Sequence, residues 1–321
     1  MKFRTEIHLP DYPFKIDYSS RIFGLGSCFV DHIKEKLHFY QFRHLINDFG
    51  VVFNPYSLLV LLQRTLNRNF YTKQDIFLHG QQWKSFELHS SLNHSDSHEF
   101  LKRINAKLQD NYVFIKQANL IIFTFGTAWV YKHKQSGLIV NNCHKLPAAQ
   151  FEKIILSPAE NTEIMHKIIA LVKKYNPNAH LLLTVSPVRH LKDGFIQNQR
   201  SKAHLIAAVH AVTGQKNVHY FPSYEILMDD LRDYRFYTTD MLHPNAWAVD
   251  YVWEKFTEAL IRPEAFSEMK KIEKIQKSLQ HKAFDESSEA YRLHRTQTLQ
   301  QIERMQEKYP WMPFENGFSK K

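Results

Sequence analysis

Two nucleophile-type side chains stand side by side in "RIFGLGSCFVDHI" (residues 21–33), the hydroxyl of Ser27 and the thiol of Cys28. A serine hydroxyl attacks only when a base lies within hydrogen-bond reach, and that base needs a carboxylate to fix its tautomer and hold the imidazolium. Far along the chain, "FYTTDMLHPNAW" supplies both, Asp240 and His243, just before a helical pattern. A serine on a strand-to-helix turn also has the N–H groups of a helix start beside it, suited to a developing oxyanion. Each element has a plainer reading. D-x-x-H is a common spacing, an Asp ahead of a helix is usually an N-cap, and Gly-Ser after a strand is usually a turn. Their pairing from opposite ends of one α/β pattern is more specific. Cys28 competes, because a thiol at a helix N-terminus can be acidified. Adjacent residues at a helix start point in different directions, so only one can face the base, and the expectation is Ser27 as nucleophile with Cys28 as a packing residue.

Other polar groups follow apolar runs in the same way. His190 in "SPVRHLKDG" is read equally well as a substrate-facing or secondary-base histidine and as a loop cap; Ser201 and Lys202 are read as cleft-lining, with Ser201 equally a helix cap. His89, His94, His98 and Asp96 resemble a metal cluster, but a chain with 19 histidines produces such groupings by chance. No metal and no cofactor are expected. Trp83, Phe86 and Trp129 are candidates for an apolar wall, or for plain core.

Composition narrows the classes. Of 321 residues, 44% are hydrophobic and 23% charged, as in a globular protein with a real core, and 24 Phe with 15 Tyr argue against disorder. Only Cys28 and Cys143 are present, which excludes a disulfide framework and a Cys-rich zinc site. The net charge of +10 is spread along the chain without a nucleic-acid motif, so no specific nucleic-acid partner is expected. No stretch approaches the roughly 20 apolar residues of a membrane span, and the N-terminus lacks the apolar segment of a secretory signal, giving the expectation of a cytoplasmic protein.

The elements that must position these groups are legible as alternating strands and helices. "RIFGLGS" (21–27), "ANLIIFTFG" (118–126) and "AHLLLTVSP" (179–187) are apolar without polar alternation, as parallel strands covered on both faces are, and "NVHYFPSYEI" (217–226) reads as a fourth strand. Between them, 158–175 shows helical spacing with Asn161 or Thr162 as candidate cap, and 198–214 ends at Gly214, a fitting C′ residue. A further amphipathic helix follows His243. Such alternation predicts an α/β sheet with helices on both sides, and ligands in open parallel sheets bind beyond the strands' carboxyl ends. Residues 60–117 read as an irregular insertion after a helix in "NPYSLLVLLQRTL", with "DIFLHGQQWKSFELHSSL" as two short strands or a lid-like segment. Past Pro263, 263–321 reads as a charged helical extension, serving either as an arm for homo-oligomerisation or as helices lying on the main domain, 1–262.

"GSCFVDHI" resembles the signature of the GSCFA-domain family, with Val30 where that name has Ala. In order along the chain, "NDFGVVFNPYSL", "FTFGTAWVY", "NNCHKLP", "TVSPVRHLKDG", "SKAHL" and "DMLHPN" fit the same pattern over about residues 3–262. The family is similar to the SGNH/GDSL hydrolases, which implies a three-layer α/β/α sandwich with a mostly parallel central sheet and acyl-ester chemistry. The resemblance maps the nucleophile onto Ser27, the last block onto Asp240 and His243, and an oxyanion N–H onto Gly50. The third block departs from G-x-N-D: here it is "GTAW", with Ala128 where the family donor Asn would stand. Gly126, Thr127, Asn54 and His190 are the remaining oxyanion or substrate-binding candidates. The implied activity is serine-dependent hydrolysis of an acyl ester, of a small molecule or a carbohydrate. An acyltransferase with the same triad and a catalytically weak carbohydrate- or acidic-polymer-binding module are the alternatives.

Overall fold

The computed structural model describes residues 5–281 and 288–314. In chain order the elements are β1 (Arg21–Gly26), α1 (Phe29–Phe39), β2 (Arg43–Ile46), α2 (Pro55–Leu66), β3 (Phe77–His79), β4 (Gln82–Lys84), α3 (Ser97–Gln117), β5 (Leu120–Phe125) and β6 (Trp129–His133). There follow β7 (Ile139–Val140), β8 (Phe151–Ile155), α4 (Pro158–Tyr175), β9 (His180–Val185), α5 (Phe195–Val212) and β10 (Val218–Tyr220). The last are α6 (Ser223–Glu225, continued as a π-helix over Ile226–Leu231), α7 (Ala246–Leu260), α8 (Phe266–Gln280) and α9 (Glu289–Lys308). Five strands form one parallel sheet in the order β10-β9-β5-β1-β2.

Both sheet faces are covered. Phe23, Leu25, Phe123, Phe125 and Leu183 point to one side and pack against α2, α3, α4 and α5. Their alternates Ile22, Leu120, Ile122 and Leu182 meet α1, α7, α8 and α9 on the other. The result is the expected three-layer α/β/α sandwich. Two small antiparallel pieces, the β3-β4 hairpin and the sheet β7-β6-β8, lie outside it.

Several local expectations are corrected. The fourth apolar run forms a strand only over Val218–Tyr220, because Pro222 lacks an N–H and Ser223 turns inward to donate to the Val185 carbonyl at 2.8 Å. Helix α4 is capped by Ser157 with Glu160 in a capping box, while Asn161 is buried and donates back to Leu156 O and Ser157 O. Within 60–117 the irregular part is 67–96, which holds the two short strands of the β3-β4 hairpin, whereas α3 is a 21-residue helix whose Phe100, Ile104, Leu108 and Ile115 enter the main core.

The C-terminal helices lie on the main domain. Met269, Ile272 and Ile275 of α8 and Ile302 and Met305 of α9 share a cluster with Phe29 and Phe256, and Lys308 reaches Glu268 at 2.8 Å. The parts of the predicted extension at 282–287 and 315–321 fall outside the described residues. Among the described residues no helix is long and apolar enough to cross a membrane.

Candidate active site

The sheet order reverses between β1 and β5, the switch point at which a crevice opens beyond the strand ends in such sheets. Ser27 follows β1 and Gly126 follows β5, so the candidate nucleophile stands at that point. Gly26 permits it: a Cβ there would lie 2.2 Å from the Thr124 carbonyl oxygen, which instead accepts the Ser27 N–H at 2.9 Å. Ser27 is 0% exposed. Among the described residues its Oγ has one hydrogen bond, a long one of 3.5 Å from the Phe29 N–H at the start of α1.

Asp240 and His243 sit in the turn before α7, whose N-cap is Asn245 rather than Asp240. The Asp240 Oδ2 meets His243 Nδ1 at 2.6 Å, leaving Nε2 as the free ring nitrogen. The other carboxylate oxygen accepts from Thr238 Oγ1 at 2.6 Å, Leu242 N–H at 2.8 Å and His243 N–H at 3.1 Å. The Thr238 hydroxyl, these backbone donors and His243 hold the Asp240 carboxyl well below the usual carboxylate range. It stays ionised while it orients the imidazole.

A second imidazole, that of His190, borders the same small space as the serine. A Cβ placed on Gly126 would stand 2.9 Å from Ser27 Cβ and 3.2 Å from His190 Nε2, so the two side chains share the notch left by the missing methyl. His190 Nε2 is buried without a partner among the described residues, a state that costs about 1–3 kcal/mol for a polar group. Its backbone N–H donates to Asn198 Oδ1 at 2.8 Å, and its ring stands edge-on to Phe53. Burial, reinforced by Lys202 and His243, pushes its pKa down to about 3.

Lys202 is the residue whose place could not be read from the chain. It is 1% exposed, and its Nζ donates to Gly126 O and Ser186 O at 2.6 Å each, tying the ends of β5 and β9 together. Burial draws its pKa down to about 7. "SKAHL" carries the only hint, a lysine on the inward face of an amphipathic helix. Its neighbour Ser201 accepts from Ala128 N–H at 2.7 Å and pairs with Thr127 Oγ1 at 3.0 Å, holding the loop after β5 in place.

Three expected oxyanion donors are otherwise engaged. The Gly50 N–H goes to Asn47 O at 2.8 Å, and Gly50 packs against His89 on the wall of a neighbouring cavity of about 560 Å³ with Asp31, His38 and Asn47. The N–H groups of Gly126 and Thr127 both donate to Phe53 O, at 2.8 and 3.0 Å. Thr127 Oγ1 is taken up by Ser201 and by the Trp129 N–H. Asn54 differs. Its Oδ1 caps α2 by accepting the Ser57 N–H at 2.8 Å, and its Nδ2 makes no hydrogen bond among the described residues. It directly follows Phe53, whose carbonyl borders the notch at 3.2 Å from the Gly126 Cβ position.

Cys28 does not have an acidified thiol: burial, with Asp31 beside it, pushes the pKa up, and Lys202 only partly opposes this. The His89 group is local capping. His89 Nδ1 accepts from Ser91 N–H and His94 Nδ1 from Asp96 N–H, and among the described residues no three His, Cys, Asp or Glu converge as a metal set. Phe86 packs against Phe77 and His133 at 4.5 and 4.8 Å, as core of the small sheets, and Trp129 lies under Lys153 Nζ at 4.6 Å.

The fold and this constellation define an α/β/α protein with a serine turn at the switch point and a His–Asp pair in the turn before α7. The chain belongs to the GSCFA family, whose model matches residues 21–256. A second model, the C-terminal domain of GSCFA domain proteins, matches residues 272–319. No curated protein matches the chain. Among solved structures it is similar to an acetyl xylan esterase (Est2A) from the rumen bacterium Butyrivibrio proteoclasticus, with 9% identity and a TM-score of 0.39, covering 75% of this chain and 63% of that one. It is also similar to a carbohydrate esterase family 3 protein from Talaromyces cellulolyticus, with 7% identity and a TM-score of 0.35, covering 78% of this chain and 98% of that one.

Proposed function

We propose that the protein is a serine-dependent acyl-ester hydrolase. The observations that support this reading are Ser27 at the β1/β5 switch point and His243 held on Asp240 by a 2.6 Å contact in the turn before α7. Ser27 Oγ bonds to the ester carbonyl carbon as its proton passes to His243 Nε2, and the carbonyl π pair moves onto oxygen. Collapse breaks the bond to the alcohol, and the departing alkoxide takes the proton from His243. Water then repeats the sequence against the acyl-enzyme, giving its proton to His243, and Ser27 recovers one as it leaves.

The Cys28 N–H, directly after Ser27 and just ahead of α1, and the free Nδ2 of Asn54 stabilise the oxyanion. An acylated saccharide fits as substrate. Arg189, Gln199, Tyr224, Tyr234 and Tyr237 line a cavity of about 340 Å³. It adjoins the His243 turn through the Arg189 N–H to Leu242 O bond, and Arg189, lying over the Tyr234 and Tyr237 rings, has a buried Nη1 without a partner among the described residues that suits a sugar hydroxyl.

The test is Ser27→Ala against Cys28→Ala on 4-nitrophenyl acetate, with circular dichroism to verify folding. Ser27→Ala loses roughly 10⁴-fold or more in kcat, and Cys28→Ala keeps activity within an order of magnitude. Full activity in Ser27→Ala with loss in Cys28→Ala would overturn the assignment. Labelling of Ser27 by a fluorophosphonate separates the enzyme from a pure binding module, which does not react.

A further inference from the structure

We propose that His190 is a catalytic residue of this site, donating a hydrogen bond from its Nε2–H to the oxyanion that forms when Ser27 attacks. The proposal rests on the Ser27 reading above. The Gly126 notch is bordered by Ser27 Cβ, His190 Nε2 and Phe53 O. Phe53 O already accepts from the Gly126 and Thr127 N–H groups, so the unclaimed polar atom on the notch is Nε2, buried and without a partner among the described residues. A carbonyl carbon bonded to Ser27 Oγ brings its oxygen to this notch. The incoming oxygen gives the orphaned nitrogen the partner that none of the described residues supplies.

The Asn198 side chain holds the His190 backbone N–H, and the ring stands nearly perpendicular to that of Phe53 at 5.6 Å. The charged and titratable groups whose fields reach it are Lys202 from α5 and His243 from the turn before α7. Neither is a carboxylate, since Asp240 is engaged with His243. The two imidazoles therefore divide the chemistry: His243, backed by a carboxylate, accepts the proton, while His190 remains neutral and only donates. Lys202 is a positioning residue here. By holding Gly126 O and Ser186 O it fixes the strand ends from which the notch and the His190 loop depart.

The experiment compares His190→Phe, which keeps the ring shape without a donor, with His190→Gln, which restores an N–H, and runs Ser27→Ala in parallel on 4-nitrophenyl acetate. His190→Phe is expected to lower kcat about 10²–10³-fold with KM nearly unchanged, and His190→Gln to recover at least about tenfold of that loss. In the ¹⁵N spectrum of the unaltered protein, His190 is expected to be the neutral Nε2–H form at pH 6, a readout that needs no variant to fold. The proposal fails if His190→Phe retains kcat within about threefold while Ser27→Ala is inactive, if His190→Gln is no better than His190→Phe, or if His190 is an imidazolium at pH 6. An active Ser27→Ala would instead defeat the underlying Ser27 reading.

Discussion

Replacing Gly126 by Ala probes the shared notch directly. The added Cβ would stand 2.9 Å from Ser27 Cβ, and 3.2 Å from both His190 Nε2 and Phe53 O, whereas carbon atoms rest about 3.5–4.0 Å apart. The backbone cannot recoil freely, because the Gly126 N–H is held by Phe53 O and its carbonyl by Lys202. Ser27 is pinned through Thr124 O. The shortfall of roughly half an ångström or more is therefore shared between Ser27 and His190. Overpacking of this kind costs about 1–3 kcal/mol of stability, a fall of a few degrees in Tm for a chain of this size. The kinetic effect should exceed the structural one, since misplacement by about 1 Å at a reacting centre costs on the order of 10²-fold. Gly126→Ala is thus expected to remain folded, to lose about 10²-fold in kcat on 4-nitrophenyl acetate, and to react correspondingly more slowly with a fluorophosphonate. A variant with near-normal kcat and an unchanged labelling rate would refute the placement of Ser27 and His190 about this notch.

Two further outcomes follow from other contacts. Asn54→Asp keeps an oxygen to cap α2 but removes the free amide N–H, so Tm should hold while kcat falls about 10²-fold or more; equal loss of both in thermal melts and kinetics would make Asn54 purely structural. Burial raises the pKa of Glu268, but Lys308 and Lys271 outweigh it and leave the carboxyl below its usual value. Such a group contributes stability that is complete above its ordinary pKa of about 4.3 and lost as pH falls through the lower folded value. Glu268→Gln should therefore lower Tm at pH 7, and the gap from the unaltered protein should close below about pH 4; a gap that persists there would deny the ion pairs a role in seating α9.

Where a signal was local, the sequence carried it well. The runs that became β1, β5 and β9 are apolar apart from Arg21 and His180 at their starts and Thr124 and Thr184 near their ends, because both faces are covered, and no solvent-facing alternation survives to be misread. Helix α3 was missed because its four apolar contacts are spaced among charged residues over 21 positions, which dilutes the pattern. The short β10 was overread because an apolar run does not reveal that Pro222 and the inward Ser223 end it.

For the site, the sequence alone determined the chemical types: a serine after a strand, a D-x-x-H before a helix, and an alanine where an amide donor would stand. The 2.6 Å contact of Asp240 with His243 follows from a spacing of three residues within one turn. Ownership of the N–H groups was decided only in three dimensions. Gly50, Gly126 and Thr127 look like donors until Asn47 O and Phe53 O are brought to within 3.0 Å of them. Lys202 meets Gly126 O across 76 positions of sequence, and His190 borders the same notch as Ser27 only because β9 and β1 flank β5. Periodicity and capping are properties of neighbouring residues, whereas a hydrogen bond belongs to whichever acceptor the folded chain delivers to it.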